Sequence, residues 1–358
     1  AYLLAKVLQR KYRVEILGSL FLNQGSEVWL PCNTGEFEYS IVEGCRFPRY
    51  FSSIRTMMKN ITGDVIYASK LRMPSYGIAL LKKISSFKPV VLDIDDLETS
   101  WYDEHHWKKS LYDKLSDPTG VLHTFFMEKI FWLANDVTTV SSQFQRRFGG
   151  VIVPHGKDTD YLNPVNFDRI GLREKYNLSN FKVIMFLGTP RPHKGLEDIV
   201  KAVRMLKRKD IRFMIIGRGS DCQYENLLQE ISGEMLMLHD MIPFEDVPKY
   251  LTIADLVVIP QRRQKQTYGQ IPAKIFDAMA MSKPIIASDT SDMHEILDDC
   301  GLIVEPENIE QLAEKIDWVL SHPDEAMEMG RKARDKCINE YSWDVMEQRL
   351  TSVFEKYH

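Results

Sequence analysis

The chain has 358 residues, 44% of them hydrophobic and 27% charged, which suits two globular domains and excludes a disordered or fibrous class. Its net charge of −4 is unevenly split: residues 1–155 carry 19 Lys and Arg against 16 Asp and Glu, and residues 156–358 carry 27 against 34. The mild basic excess of the first part is no nucleic-acid footprint, although it favours an anionic membrane surface.

Ala1–Tyr12 has apolar residues at helical spacing, and Arg13–Leu20 reads as a buried strand. An α/β domain should place a strand and a glycine-rich turn before such a helix, so a short N-terminal piece is expected to be missing. Gly63–Ala68, Lys88–Ile94, Asp136–Val140 and Gly150–Pro154 are β-branched runs separated by helical stretches, which means a parallel sheet covered by helices. Val90–Glu98 ends a strand with the carboxylates Asp93, Asp95 and Asp96. Period-two alternation sets Asp93 and Asp95 on one face and Asp96 on the other. The carboxyl end of a strand is where a cleft lies, so Asp95 or Asp96 is a candidate to orient a substrate hydroxyl, the alternative being a helix cap or a lysine pair. His105, with His106 and Trp107, is a second candidate for that side, against the plain reading of a surface pair. The aromatic run Leu122–Leu133 is expected to pack a helix into the core.

Pro154–Pro164 is rich in turn formers and suits a hinge. A second series of strands follows at Lys182–Gly188, Arg212–Gly217, Leu236–Leu238, Leu256–Ile259, Pro284–Ala287 and Gly301–Val304. The expected fold is therefore α/β, two doubly wound Rossmann-like domains with a cleft between them. The expected domains are 1–155, 156–340 and a terminal helix, 341–358, crossing back to the first. The turn Gly188–Gly195, with Thr189, Arg191 and Lys194, joins a strand to the amphipathic helix Leu196–Lys207 and offers amides, a dipole and two cations to a phosphate. Arg218 and the pair Met241 and Ile242 follow later strands. In Tyr268–Ala280, Pro272 suits a first helical turn, so that the amides of Gln270, Ile271, Pro272 and Ala273 (proline lacking one) would face a ligand, with Asp277 about one turn on to accept from ribose hydroxyls. The five cysteines are scattered, so buried thiols are expected, with neither zinc knuckle nor disulfide. No apolar run reaches the roughly 20 residues of a membrane span and residues 1–30 have no signal-peptide order, so a cytoplasmic location is expected, at most visiting the inner face of the membrane.

Taken together, Phe186-Leu-Gly followed by Lys194-Gly195, Ile215-Ile-Gly, Phe276-Asp-Ala-Met-Ala, Lys283-Pro-Ile-Ile-Ala, Gly301-Leu-Ile-Val, Pro154-His-Gly-Lys-Asp158 and Tyr341-Ser-Trp-Asp344 resemble the retaining GT-B glycosyltransferases of family 4. The resemblance implies transfer of a hexose, glucose or a relative, from a UDP-sugar to a saccharide or lipid-linked saccharide, in exopolysaccharide, lipopolysaccharide or glycolipid synthesis. It implies Lys194 and Arg191 at the diphosphate and Gly188, Thr189, Arg218, Met241, Ile242 and Asp277 around the nucleotide. Two positions depart from the family: Thr189 stands where an arginine is usual, and Gly269 where a sugar-contacting glutamate is usual. Asp93-Ile94-Asp95 fits the pattern by which the other glycosyltransferase fold binds Mn²⁺ or Mg²⁺. A donor site that holds phosphates with cations needs no metal, so neither metal nor cofactor is expected. The alternatives kept open are a silent nucleotide-sugar-binding protein and a nucleotide-sugar-modifying enzyme.

Overall fold

The computed structural model describes residues 1–21, 35–219 and 222–357. By their internal contacts these divide into two compact units. Unit 1 comprises Ala1–Pro154, Tyr268–Gln270 and Met346–His358, and unit 2 comprises His155–Thr267 and Ile271–Val345.

Unit 1 holds two parallel ladders. β1 (Ile16–Phe21) pairs with β2 (Tyr39–Gly44), and a four-stranded sheet runs β3 (Ile66–Ser69), β4 (Val90–Ile94), β5 (Asp136–Thr139), β6 (Val151–Ile152). β1 is only half-buried, with Phe21 alone inside, whereas a buried strand was expected. β2 is absent from the sequence reading because its Glu43 and Gly44 break the apolar run. β4 is buried throughout, which fits a parallel strand covered on both faces. A second correction concerns the aromatic run. It forms the helix Val121–Lys129 and a short turn, Phe131–Leu133, but Phe125, Phe126, Trp132 and Leu133 are exposed while Val121, Thr124, Met127 and Glu128 go inward. The C-terminal segment packs in unit 1: Phe354 lies edge-on to Tyr67, and Lys356 and Tyr357 both donate to Asp136.

Unit 2 is built on one six-stranded parallel sheet. Its strands are β7 (Lys182–Leu187), β8 (Ile211–Ile216), β9 (Leu236–His239), β10 (Leu256–Ile259), β11 (Ile285–Ser288) and β12 (Leu302–Val304), in the order β12-β11-β10-β7-β8-β9. Counted from β7 this is 3-2-1-4-5-6 read from the β9 edge, the doubly wound order, whose direction reverses between β7 and β10. Ligands bind outside the carboxyl ends of the strands at such a reversal. β7, β8, β10 and β11 are almost wholly buried, and Ile184, Phe186, Leu196, Ile199, Phe213 and Ile316 belong to one core.

The segment Pro154–Pro164, expected to be a hinge, is held in unit 2 from Lys157 onward. Lys157 N–H donates to the Tyr341 carbonyl at 2.9 Å, Trp343 N–H donates to the Lys157 carbonyl at 2.9 Å, and Arg334 donates to the carbonyls of Leu162 and Thr159. Cys300 and Cys337 are buried free thiols and Cys45 is half-buried; Cys32 and the side chain of Cys222 lie outside the described residues. Among the described residues no helix is long and apolar enough to cross a membrane.

Candidate functional site

The turn Gly188–Gly195 leaves β7 at the strand reversal. Gly188 N–H donates to the Ile216 carbonyl at 2.7 Å, extending the ladder by one residue. Its φ of +116° is a conformation that a side chain rarely adopts. Lys194 then folds back over the turn and donates to the Thr189 carbonyl at 2.6 Å. On the other side Arg262 N–H donates to the His193 carbonyl at 3.0 Å, and its guanidinium holds Asp198 at 3.0 Å. Both residues that bracket the reversal, one after β7 and one after β10, therefore fix the turn.

The turn is positive and lacks a carboxylate at its centre. Burial, then Arg191, lowers the Lys194 amine to about 8, and burial with Lys194 and Arg191 lowers His193 to about 4. Arg191 itself is exposed at the tip. A second lysine, which the sequence reading did not single out, comes from the helix Lys274–Ala280. A Cβ at Gly188 would stand 2.9 Å from Lys274 Nζ and 3.8 Å from Lys194 Nζ, so both ammoniums gather over the glycine. Lys274 Nζ lies 3.6 Å from the centroid of the Phe186 ring and Lys194 Nζ 5.8 Å from it.

The start of this helix differs from expectation. Pro272 precedes it, Ala273 caps it, and Lys274 is its first residue. Ile275 and Phe276 N–H donate to the carbonyls of Pro272 and Ala273, so Ile271, Pro272 and Ala273 form an entry turn, not the first turn of a helix. Ile271 is buried, and Gln270 falls in unit 1. Asp277 is paired: its Oδ1 lies 2.8 Å from Nζ of the buried Lys157. The remaining carboxylate lone pairs keep it able to accept further hydrogen bonds.

Beside β7 the sheet order sets the other two loops in a row. Gly217 and Arg218 N–H both donate to the His239 carbonyl, at 3.1 and 3.0 Å. Arg218 is exposed, its Nε 3.1 Å from the buried Glu225, which also accepts from Gly219 N–H at 2.7 Å. Met241 and Ile242 are half-buried after β9, two strands from the turn that follows β7.

In unit 1 the acidic cluster proves to be built around a lysine. β4 ends at Ile94, so alternation stops there and Asp95 and Asp96 reach the same partner. Lys70 Nζ lies 3.4 Å from Asp95 Oδ1, 3.0 Å from Asp96 Oδ2 and 2.9 Å from Glu98 Oε1. Burial alone would pull the Lys70 amine down, but Asp95, Glu98 and Asp96 push it above the ordinary lysine range. Asp95, Asp96 and Glu98 have oxygens within 4.8 Å of one another, as a cation would want, and the ammonium of Lys70 meets all three. Asp93, the first member of the Asp-x-Asp pattern, turns elsewhere: it is buried, accepts from Thr138 at 2.9 Å, and burial followed by Asp95 raises it to about 6. Asp96 also accepts from Gln270 Nε2 at 2.7 Å.

Gly269 has a φ of +67°, and a Cβ there would stand 2.5 Å from the Phe144 ring, so no side chain is accommodated where the family places its glutamate. His105 is exposed on the helix Glu104–Lys108. A hollow of about 290 Å³ in unit 1 is lined by Arg72, Trp101, Tyr102, His106, Lys109 and Asp117, among others. The histidine that lines it is His106, not His105.

Residues 168–336 match the family Glycosyl transferases group 1, a stretch that includes both Gly188–Gly195 and Tyr268–Ala280. The protein is 24% identical over 194 residues to the alpha-D-kanosaminyltransferase of Streptomyces kanamyceticus, covering 52% of this chain and 49% of that one. It is 25% identical over 239 residues to the GDP-mannose-dependent alpha-(1-6)-phosphatidylinositol monomannoside mannosyltransferase of Mycolicibacterium smegmatis, covering 62% of each. The match thus spans about half of the first relative's length and less than two thirds of the second's. Among solved structures it resembles Anabaena HepE in complex with UDP and glucose, with a TM-score of 0.75 at 14% identity over 99% of this chain and 95% of that one. That likeness is one of fold, the GT-B architecture of two Rossmann-like domains. Apart from Tyr268–Gln270, the match to Glycosyl transferases group 1 falls within unit 2.

Proposed function

We propose that this protein transfers a hexose, glucose or a close relative, from a UDP-sugar to a saccharide or lipid-linked saccharide, with retention of configuration and without a metal. The synthesis of an exopolysaccharide, lipopolysaccharide or glycolipid is the setting that fits. The observation that carries the reading is Lys194 folded over the turn after β7, at the reversal of a doubly wound sheet, in a stretch that matches the group 1 family. In this reading the departing diphosphate rests on Lys194, Arg191 and the amides of the turn, and electrostatic support of the developing charge is the main catalytic contribution. Asp277 accepts from the ribose with the lone pairs that Lys157 leaves. Arg218, Met241 and Ile242 flank the base, and Asp96 or Asp95 orients the acceptor hydroxyl with His105 on the same side.

Uracil is favoured by the resemblance to HepE in complex with UDP, while the GDP-mannose-dependent relative makes guanine the competitor to test. Melting temperatures measured with UDP-, GDP- and ADP-glucose decide between them, since a ligand stabilises the state that binds it. Selective stabilisation by UDP-glucose is expected; no shift with any of the three would sink the proposal. A second reading is favoured by Gly269, where no glutamate fits: a binder of nucleotide sugars that does not turn them over. Release of free sugar from the donor by the purified protein excludes it.

The acceptor side also carries an exposed aromatic face, which suggests that unit 1 visits an anionic bilayer. Trp107, Leu111, Tyr112, Leu115, Phe126 and Trp132 are all exposed. Trp107 lies edge-on to Phe125 at 5.9 Å and Phe125 to Phe126 at 6.1 Å, with Lys129 over the Phe125 ring and Lys114 on the Trp107 carbonyl. Aromatic residues rimmed by lysines suit the headgroup layer. Sedimentation with phosphatidylglycerol vesicles is expected, and to be lost in Trp107→Ala with Trp132→Ala; failure to sediment would remove the membrane from the proposal.

A further inference from the structure

We propose that Lys274 is a second cation for the donor diphosphate, reaching from the helix Lys274–Ala280 into the place that Thr189 leaves without an arginine. This rests on the nucleotide-sugar reading above and names a residue of the same site.

Three observations support it. The first is position: Lys274 Nζ and Lys194 Nζ lie 2.9 and 3.8 Å from where a Cβ of Gly188 would be. Gly188 therefore serves twice, by taking a φ of +116° and by leaving the space the Lys274 ammonium fills. The second is a weak counter-charge: Asp277 draws the Lys274 amine up, but by less than burial and Lys194 push it down. The Lys274 ammonium lies over the face of Phe186 at 3.6 Å, and Asp277, three positions on, makes its ion pair with Lys157 at 2.8 Å. A cation over an aromatic face is attracted to it, but weakly beside what an ion pair would give. The third is mutual repulsion: burial, then Lys194, draws the Lys274 amine well below the ordinary lysine range.

Two like charges packed together, with their nearby carboxylate already paired to Lys157, weaken the empty protein, and such arrangements persist where a ligand offsets them. The guest they match is a diphosphate. On transfer the bond from the sugar anomeric carbon to the phosphate oxygen breaks and its electron pair stays on that oxygen. The acceptor oxygen bonds the anomeric carbon and its proton is released to solvent. The nucleotide leaves with one more negative charge than the donor had, and two ammoniums meet it better than one.

The test uses the full chain, titrated calorimetrically with UDP, and its melting temperature without ligand. Lys274→Met is expected to weaken UDP binding by roughly ten- to a hundredfold, the range for a lost hydrogen bond to a charged group, while the empty protein melts higher than wild type. Lys274→Arg is expected to restore most of the binding. Unchanged UDP affinity in Lys274→Met overturns the proposal. So does a fall in melting temperature that accounts for the lost binding and that Lys274→Arg does not repair, because that marks a packing role. Should Lys274→Met not fold, Lys274→Gln replaces it under the same criteria. Lys194→Ala separates the two levels: if it loses UDP while Lys274→Met keeps it, only the role of Lys274 falls, and if wild type ignores UDP, the nucleotide-sugar reading falls with it.

Discussion

Nζ of Lys157 stands 2.8 Å from Oδ1 of Asp277, with the two side chains only 7% and 16% exposed. The linker thus supplies the counter-charge for the carboxylate assigned to the ribose, and Asp277 is oriented before any ligand arrives. Removing one partner of such a pair strands the other. Asp277→Asn is expected to cost about 3–5 kcal/mol of unfolding free energy in denaturant titrations. The double variant Lys157→Met, Asp277→Leu should regain most of that stability without regaining UDP binding. A loss under about 1 kcal/mol in Asp277→Asn would show the pair to be dispensable.

Lys194→Ala removes the ammonium that folds over the turn. Turnover is expected to fall about a hundredfold or more, in line with the roughly 2.7–4 kcal/mol typical of one lost electrostatic contact to a developing charge. Near-normal kcat would defeat the assignment.

The depressed Lys194 amine makes nucleotide binding sensitive to alkali. With its amine at about 8 in the empty protein, Lys194 is charged below that pH and neutral above it, and phosphate favours the charged form. UDP affinity should therefore be level near neutrality and weaken by up to about tenfold per pH unit above 8. For stability without ligand the sign is opposite. Between 8 and the ordinary lysine value of 10.5 the unfolded chain binds more protons, so this group makes stability rise with pH across that window. A UDP affinity that stays flat to high pH would contradict the assignment.

Lys70 occupies the acidic cluster as its resident cation. Activity is expected to persist in EDTA and to gain nothing from Mn²⁺. Complete loss in EDTA with recovery in Mn²⁺ would hand Asp95, Asp96 and Glu98 to a metal instead.

Gly269→Glu tests why the family's glutamate is missing. A side chain there meets the Phe144 ring and a left-handed backbone, so a drop of more than about 1 kcal/mol in stability is expected, by analogy with other side chains forced into positive φ. A stable variant with improved turnover would mean that the position tolerates the residue and merely lost it.

Much of the fold was legible because its causes are local. β-branched runs bounded by glycine give parallel strands wherever helices cover them, and all six strands of unit 2 were read from that pattern. β2 escaped because Glu43 and Gly44 interrupt it. The exposed Phe125 and Phe126 were misplaced because an aromatic run has the same sequence whether its face meets a core or solvent. At the site, Gly188 and Lys194 were visible through their spacing within one turn.

Lys274, Lys157 and Lys70 were not visible, since each matters through a partner distant in sequence: Gly188, Asp277 and the Asp95–Glu98 segment. The sequence by itself determined the doubly wound architecture and the glycine-bounded turn after β7, since hydrophobic period and turn chemistry act over a few residues. Only the tertiary structure decided which charges meet. Coulomb attraction and desolvation depend on distance in space, and that distance is set by strand order and helix packing.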